Sequence, residues 1–217
     1  MKLDYIKSPE LQKTLAKLSD VLERFKREYP KELNMIFRDH DQLFAEHGWY
    51  IYDGCTVEDV LIILKLFNQG ESELVAQERV KEIFQDNLDE IMTDLIKCVS
   101  ESSHIIKEAF ICHNKQLYYA STVLFLSLAD GLANGKLFTK SYLEKIKKHS
   151  STHFLLDILT EKNPINQKFN PQNSPKSELM RHGIMHGNST RYGNENNSLK
   201  ALSLLHYVSI RKLELLK

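Results

Sequence analysis

The 217-residue chain is poor in the residues that interrupt helices. It holds eight glycines and five prolines, and no segment between them sustains an alternation of apolar and polar side chains. That argues against a fold of short strands joined by tight turns and predicts an all-α helical bundle. Cysteine is scarce as well. Cys55, Cys98 and Cys112 are odd in number and widely spaced, which supports neither a disulfide framework nor a thiolate zinc site; reduced, buried thiols are the expectation. Long apolar runs are missing: those at 60–67 and 123–129 are too short to cross a bilayer. The opening MKLDYIKSPE lacks the apolar stretch of a secretory signal, so the sequence predicts a cytoplasmic protein with no membrane partner. Net charge is absent too, with 29 basic and 29 acidic side chains, and taken whole that balance gives no sign of a nucleic-acid partner.

What is present is uneven. Residues 1–101 carry 13 basic and 21 acidic side chains, and residues 102–217 carry 16 basic and 8 acidic, so the two halves stand at −8 and +8. The 42% apolar content is enough to bury a core and excludes a disordered chain.

Ser8-Pro9-Glu10 reads as a helix start, followed by Leu11, Leu15, Leu18, Leu22 and Phe25 at helical spacing, and a second helix runs from Pro30 to about His47. Residues 48–54, GWYIYDG, read as a buried aromatic connection. Thr56, with Asp59 three residues on, forms an acidic variant of the capping box. Helices then follow to Phe67, from Glu71 to about Phe84, and from Asn87 to about Ser100. Residues 116–134 are apolar on nearly all sides, which predicts the centre of the bundle. Asp130 sits near the end of that helix, where burial would be costly without a cationic partner. A short basic helix follows at 136–148, and 161–175, with three prolines and four asparagines, reads as a loop. Ser174-Pro175 then starts a helix that ends near Gly187, and a last helix runs from about Asn197 with Leu199, Leu202, Leu205, Val208 and Leu213 on its inner face.

Between those two helices lie most of the chain's chemically versatile side chains: Arg181, His182, His186, Asn188, Arg191, Tyr192, Asn194, Asn196 and Asn197. Arg181 offers a permanent planar donor fork suited to phosphate. His186, in the last turn, stands where helix carbonyls favour the imidazolium and suits proton exchange near neutral pH. Five residues separate the two, about 140° around a helix, so they diverge within one chain and would converge only across two copies. His182 and His186, four apart, share a face at the spacing of a metal pair. Position 183 is Gly183, however, where metalloproteases place their glutamate, and no cysteine or carboxylate lies nearby in sequence to complete a shell. No metal and no cofactor are therefore assigned. Phosphate-binding glycine loops and serine nucleophile elbows are absent.

Arg181-His182-Gly183-Ile184-Met185-His186 resembles the motif of the HEPN superfamily (higher eukaryotes and prokaryotes nucleotide-binding): an arginine, a polar residue, three further residues and a histidine. The continuation HGNSTRYGNENNSLKALSLLHYV is similar to the C-terminal helix–loop–helix of bacterial HEPN-like proteins. Met180 departs slightly from the pattern, since related sequences often have a polar residue there. The resemblance covers residues 95–217 as a HEPN-like helical domain and leaves 1–94 as an N-terminal helical region without an assigned role. It implies a metal-independent endoribonuclease acting on RNA as a homodimer, in a toxin or phage-defence setting, with an antitoxin or regulatory protein as a further partner. Arg181 would hold the scissile phosphate and His186 would act as acid or base, with His182 and Asp130 in support. Asn188, Arg191 and Tyr192 stand as RNA contacts. The superfamily also contains catalytically silent modules that bind RNA, a nucleotide or a protein partner, which forms the alternative.

Overall fold

A computed structural model of the chain describes residues 43–52, 54–68, 73–135, 137–139, 165 and 179–215. All of them belong to the unit that spans 41–217. The helices expected at 8–28 and 136–148 and the loop at 161–175 lie outside the described residues, apart from 137–139 and Ile165.

The described residues are 74% helical and contain no strand, which makes the protein all-α. After a helical turn at 43–46 come α1 (Val57–Asn68), α2 (Glu73–Asp86), α3 (Leu88–Cys98), a 3₁₀ turn (Ser100–Ser102), α4 (Ser103–Asn114), α5 (Tyr118–Leu132), α6 (Arg181–Met185) and α7 (Glu195–Leu215). Thr56 caps α1: the Asp59 N–H donates to its hydroxyl oxygen at 3.0 Å, and the hydroxyl donates to the Asp59 carboxylate at 2.7 Å. Arg79 of α2 donates to the same carboxylate at 2.9 Å. Those hydrogen bonds, the Thr56 one foremost, hold the Asp59 carboxyl below its ordinary range.

The connection at 48–52 is buried as its composition predicts. Trp49 stacks on Phe84 with centroids 5.6 Å apart, and Tyr52 meets His206 edge-on at 5.1 Å. Burial, reinforced by the Glu90 carboxylate, pushes the Tyr52 phenol up to about 12.

The centre of the bundle is the pair α5 and α7: α5, placed there by the sequence, packs on α4, α6 and α7. Helix α7 packs on α2, α3 and α5, and every residue from 197 to 209 is buried. Its apolar inner face, Leu199, Leu202, Leu205 and Val208, is only part of what it buries. Asn197, Ser198, Lys200, Ser203, His206 and Ser209 are buried as well. Helix α5 instead keeps a strip of exposed residues, Tyr119, Ala120, Ser127 and Gly131. The burial of α7's polar residues has a physical cause, because small hydroxyls can enter a core by bonding within their own helix. Ser203 donates to the Lys200 carbonyl and Ser209 to the His206 carbonyl, each at 2.7 Å. Lys200, 2% exposed, donates to Gln77 at 3.1 Å and lies 5.6 Å from the Trp49 ring centre.

Ser198 joins a buried polar chain. Its oxygen lies 2.9 Å from His113 Nδ1 and 2.6 Å from Ser121 Oγ, tying α4, α5 and α7 together. Burial holds the His113 imidazolium below its ordinary pKa, with the Glu195 carboxylate opposing weakly. The three cysteines form no disulfide and are half-buried, not fully buried as expected, with Cys55 packed against the core. Among the described residues no helix is long and apolar enough to cross a membrane.

Candidate functional site

The segment that carries the motif begins in extended backbone. Met180 has φ −98° and ψ 97°, so the helix expected from Ser174 to Gly187 is, over its described part, only the five residues of α6. Leu179 and Met180 are both buried, and an extended chain lets consecutive side chains enter the core on opposite sides. Arg181 is thereby the first residue of α6, and His186 its C-cap, whose N–H donates to the His182 carbonyl at 3.2 Å. Gly187 follows with φ 70°, donating its N–H to the Ile184 carbonyl at 3.1 Å, while the Asn188 N–H reaches the Gly183 carbonyl at 2.8 Å. This is a complete Schellman stop, and it explains why a glycine stands at 187.

Arg181 finds its partner on α5. Its Nη2 donates to Asp130 Oδ2 at 2.6 Å, with side-chain exposures of 29% and 16%, and its guanidinium carbon lies 4.4 Å above the Phe138 ring centre. Asp130 Oδ1 accepts the Leu137 N–H at 3.1 Å, and the Asp130 backbone carbonyl accepts N–H groups from Ala133 and Gly135 at 3.0 and 2.9 Å. One carboxylate thus organises the turn after α5 and fixes Arg181, and the cationic partner that a partly buried acid needs here is Arg181. Phe138 is a site residue that sequence reasoning missed; it lies 43 positions before Arg181 and belongs to no motif.

His182 and His186 are both exposed, with ring centres 4.5 Å apart, as spacing on one helical face predicts. Among the described residues no group of three or more histidines, cysteines or carboxylates is placed to hold a metal ion. Beside them Met185 is 43% exposed, an apolar side chain left in solvent.

The rest of the polar cluster lies further along α5 and on α7. Asn188 and Arg191 are exposed, and Tyr192 is half-buried, its ring meeting Tyr119 of α5 edge-on at 5.0 Å. Three asparagines are used structurally. Asn194 caps α7, its side-chain oxygen accepting the Asn197 N–H at 2.9 Å. Asn196 donates to Gln77 at 3.4 Å, and Asn197 is buried. Tyr119 and Asp130 are eleven residues apart, about three helical turns, so they share one face of α5 roughly 16 Å apart along its axis. Residues 181–193 accordingly run from one end of that helix to the other.

No family model, no curated protein and no solved structure matches the chain.

Proposed function

We propose that the protein is a metal-independent endoribonuclease that cleaves RNA as a homodimer, the Arg181–His186 motifs of two copies lining one cleft. The observation that carries this reading is the seat of Arg181. A guanidinium held at 2.6 Å by Asp130 and backed by Phe138 keeps one orientation, and it remains partly open to solvent next to the exposed His182 and His186. Orientation of that kind is what binding a phosphate and its developing charge requires. Exposed Met185 gives the apolar contact across which a second copy would bring its own histidines. The excess of basic over acidic residues in 102–217 favours a polyanion.

In this mechanism one His186 takes the proton of a ribose 2′-hydroxyl, and the 2′-oxygen bonds to the adjacent phosphorus. The bond from phosphorus to the next nucleotide's 5′-oxygen breaks, and the second His186 gives that oxygen a proton. The products are a 2′,3′-cyclic phosphate and a 5′-hydroxyl, with no cofactor consumed. Arg181 neutralises the phosphate throughout.

The Asp130 contact also favours the alternative, because a carboxylate in ion pairing with Arg181 competes with any phosphate, as in a catalytically silent module that binds RNA, a nucleotide or a protein partner. Incubating the full chain with single-stranded RNA and a chelator decides between them. The nuclease reading expects cleavage that survives the chelator and is lost in Arg181→Ala and His186→Ala. Binding without cleavage establishes the silent module, and cleavage abolished by the chelator points to metal chemistry at His182 and His186. A chain that sediments as a monomer at micromolar concentration overturns the composite cleft.

A further inference from the structure

Tyr119 is an exposed aromatic ring that the fold holds rigid. Its hydroxyl donates to the Thr190 carbonyl at 2.9 Å, and its ring meets Tyr192 edge-on at 5.0 Å. The ring also packs directly against Gly193, where an added Cβ atom would come within 2.2–2.3 Å of the ring atoms Cε2, Cδ2 and Cζ. Three successive features of the 190–193 segment therefore fix one side chain of another helix, yet Tyr119 is 54% exposed. An exposed tyrosine normally samples several rotamers; this one has lost that freedom before any ligand arrives, which is the condition for binding at low entropic cost. Nothing in the core asks for it, because the Tyr119 ring adds little to the buried cluster.

The surroundings identify the ligand's chemistry. Arg191, exposed, sits between the two residues whose groups touch the ring, Thr190 and Tyr192. An exposed aromatic ring seated by a segment that also carries an exposed arginine matches a nucleobase and its phosphate. The ring also lies on the same face of α5 as Asp130, which holds Arg181 about 16 Å away along the helix. At about 3.4 Å per stacked nucleotide that distance is about five nucleotides of a single strand.

We propose that Tyr119 is a nucleobase-stacking platform, with Arg191 meeting the neighbouring phosphate, that anchors single-stranded RNA at a distance from Arg181. The proposal rests on the RNA reading above and adds a subsite to it. It gives Gly193 a role as well, since only a residue without a side chain lets the ring approach the backbone this closely.

The test uses two uncleavable 12-mers of equal charge: 2′-O-methyl oligoadenylate, and a fully abasic backbone of the same length. Binding to the full chain is followed by fluorescence anisotropy at fixed salt. The wild-type chain is expected to prefer the base-bearing strand by about tenfold or more, the loss typical of one stacked base. Tyr119→Ala should bind both strands alike, Tyr119→Phe should keep the preference, and Gly193→Ala, which lifts the ring from its seat, should reduce it. Arg191→Ala should weaken both strands equally and lower the salt dependence by about one phosphate. If Tyr119→Ala proves unfolded by circular dichroism, Tyr119→Leu replaces it with the same expected loss. Equal binding of the two strands by the wild-type chain, or full preference retained without the aromatic ring, overturns the platform and leaves the RNA reading standing. No binding of either strand overturns both.

Discussion

Arg181 and Asp130, 51 positions apart in sequence, form a 2.6 Å ion pair that joins the start of α6 to the end of α5. The pair makes the motif arginine dependent on a residue outside its motif. It also couples the motif to Leu137 beyond the end of α5, because the other Asp130 oxygen holds the Leu137 N–H.

Asp130→Ala should destabilise the protein by about 1–3 kcal/mol, since it strips a partly buried guanidinium and a backbone N–H of their acceptor at once. Asp130→Asn should cost less, as its amide oxygen can still accept from Leu137. Urea unfolding of both variants measures the difference. If Asp130 serves the nuclease by positioning Arg181, Asp130→Asn should also raise KM for RNA more than it lowers kcat. Equal unfolding free energies for the two variants would show that the Leu137 bond does not matter.

Gly187→Ala places a Cβ at φ 70° and should lower stability by about 1–2 kcal/mol, whereas Gly187→Asn should lose less than half of that. Thermal melts of the two variants side by side check the ordering.

The His113–Ser198–Ser121 chain makes stability depend on pH. Burial lowers the His113 pKa in the folded state, so between that lowered value and about 6.5 the unfolded chain binds a proton that the folded chain does not. Stability is therefore fully present above about pH 6.5 and falls as pH drops through that window. His113→Gln should flatten this part of the curve relative to wild type. Ser198→Ala at pH 7.5 should cost about 1–3 kcal/mol by leaving His113 Nδ1 without its acceptor or donor. A double variant should cost less than the sum of the two, because they share one contact.

Asn194→Ala removes the cap of α7 and should cost about 1 kcal/mol. Its role is structural, so RNA affinity measured under conditions where the variant is fully folded should stay within about twofold of wild type. A large loss of affinity without loss of stability would move Asn194 from the cap to the ligand.

Much of the helical layout was legible in the sequence because its causes are local. Thr56 and Asp59, three residues apart, mark the start of α1, and Gly187 marks the stop after His186. The i, i+4 spacing of His182 and His186 is enough to bring their rings together. The helix expected from 174 is not continuous through Met180, which is extended and, like Leu179, buried; residues 174–178 lie outside the described residues. The burial of α7's polar side was not legible in the sequence. Periodicity counts Ser198, Lys200 and Ser203 as surface, although Ser203 satisfies its hydroxyl within α7 and Ser198 and Lys200 find Ser121, His113 and Gln77 on neighbouring helices.

The sequence by itself determined that the chain is helical, where several of its helices begin and end, and that its versatile polar side chains gather between 181 and 197. Only the tertiary structure decided what those side chains touch: Asp130 and Phe138 for Arg181, Tyr119 for the 190–193 segment, and structural duty for the asparagines. The division follows the range of the forces involved. Caps, stops and helical spacing are settled among residues within about four positions of one another, whereas Arg181 meets Asp130 only because burial of the core lays the 181–193 segment along α5.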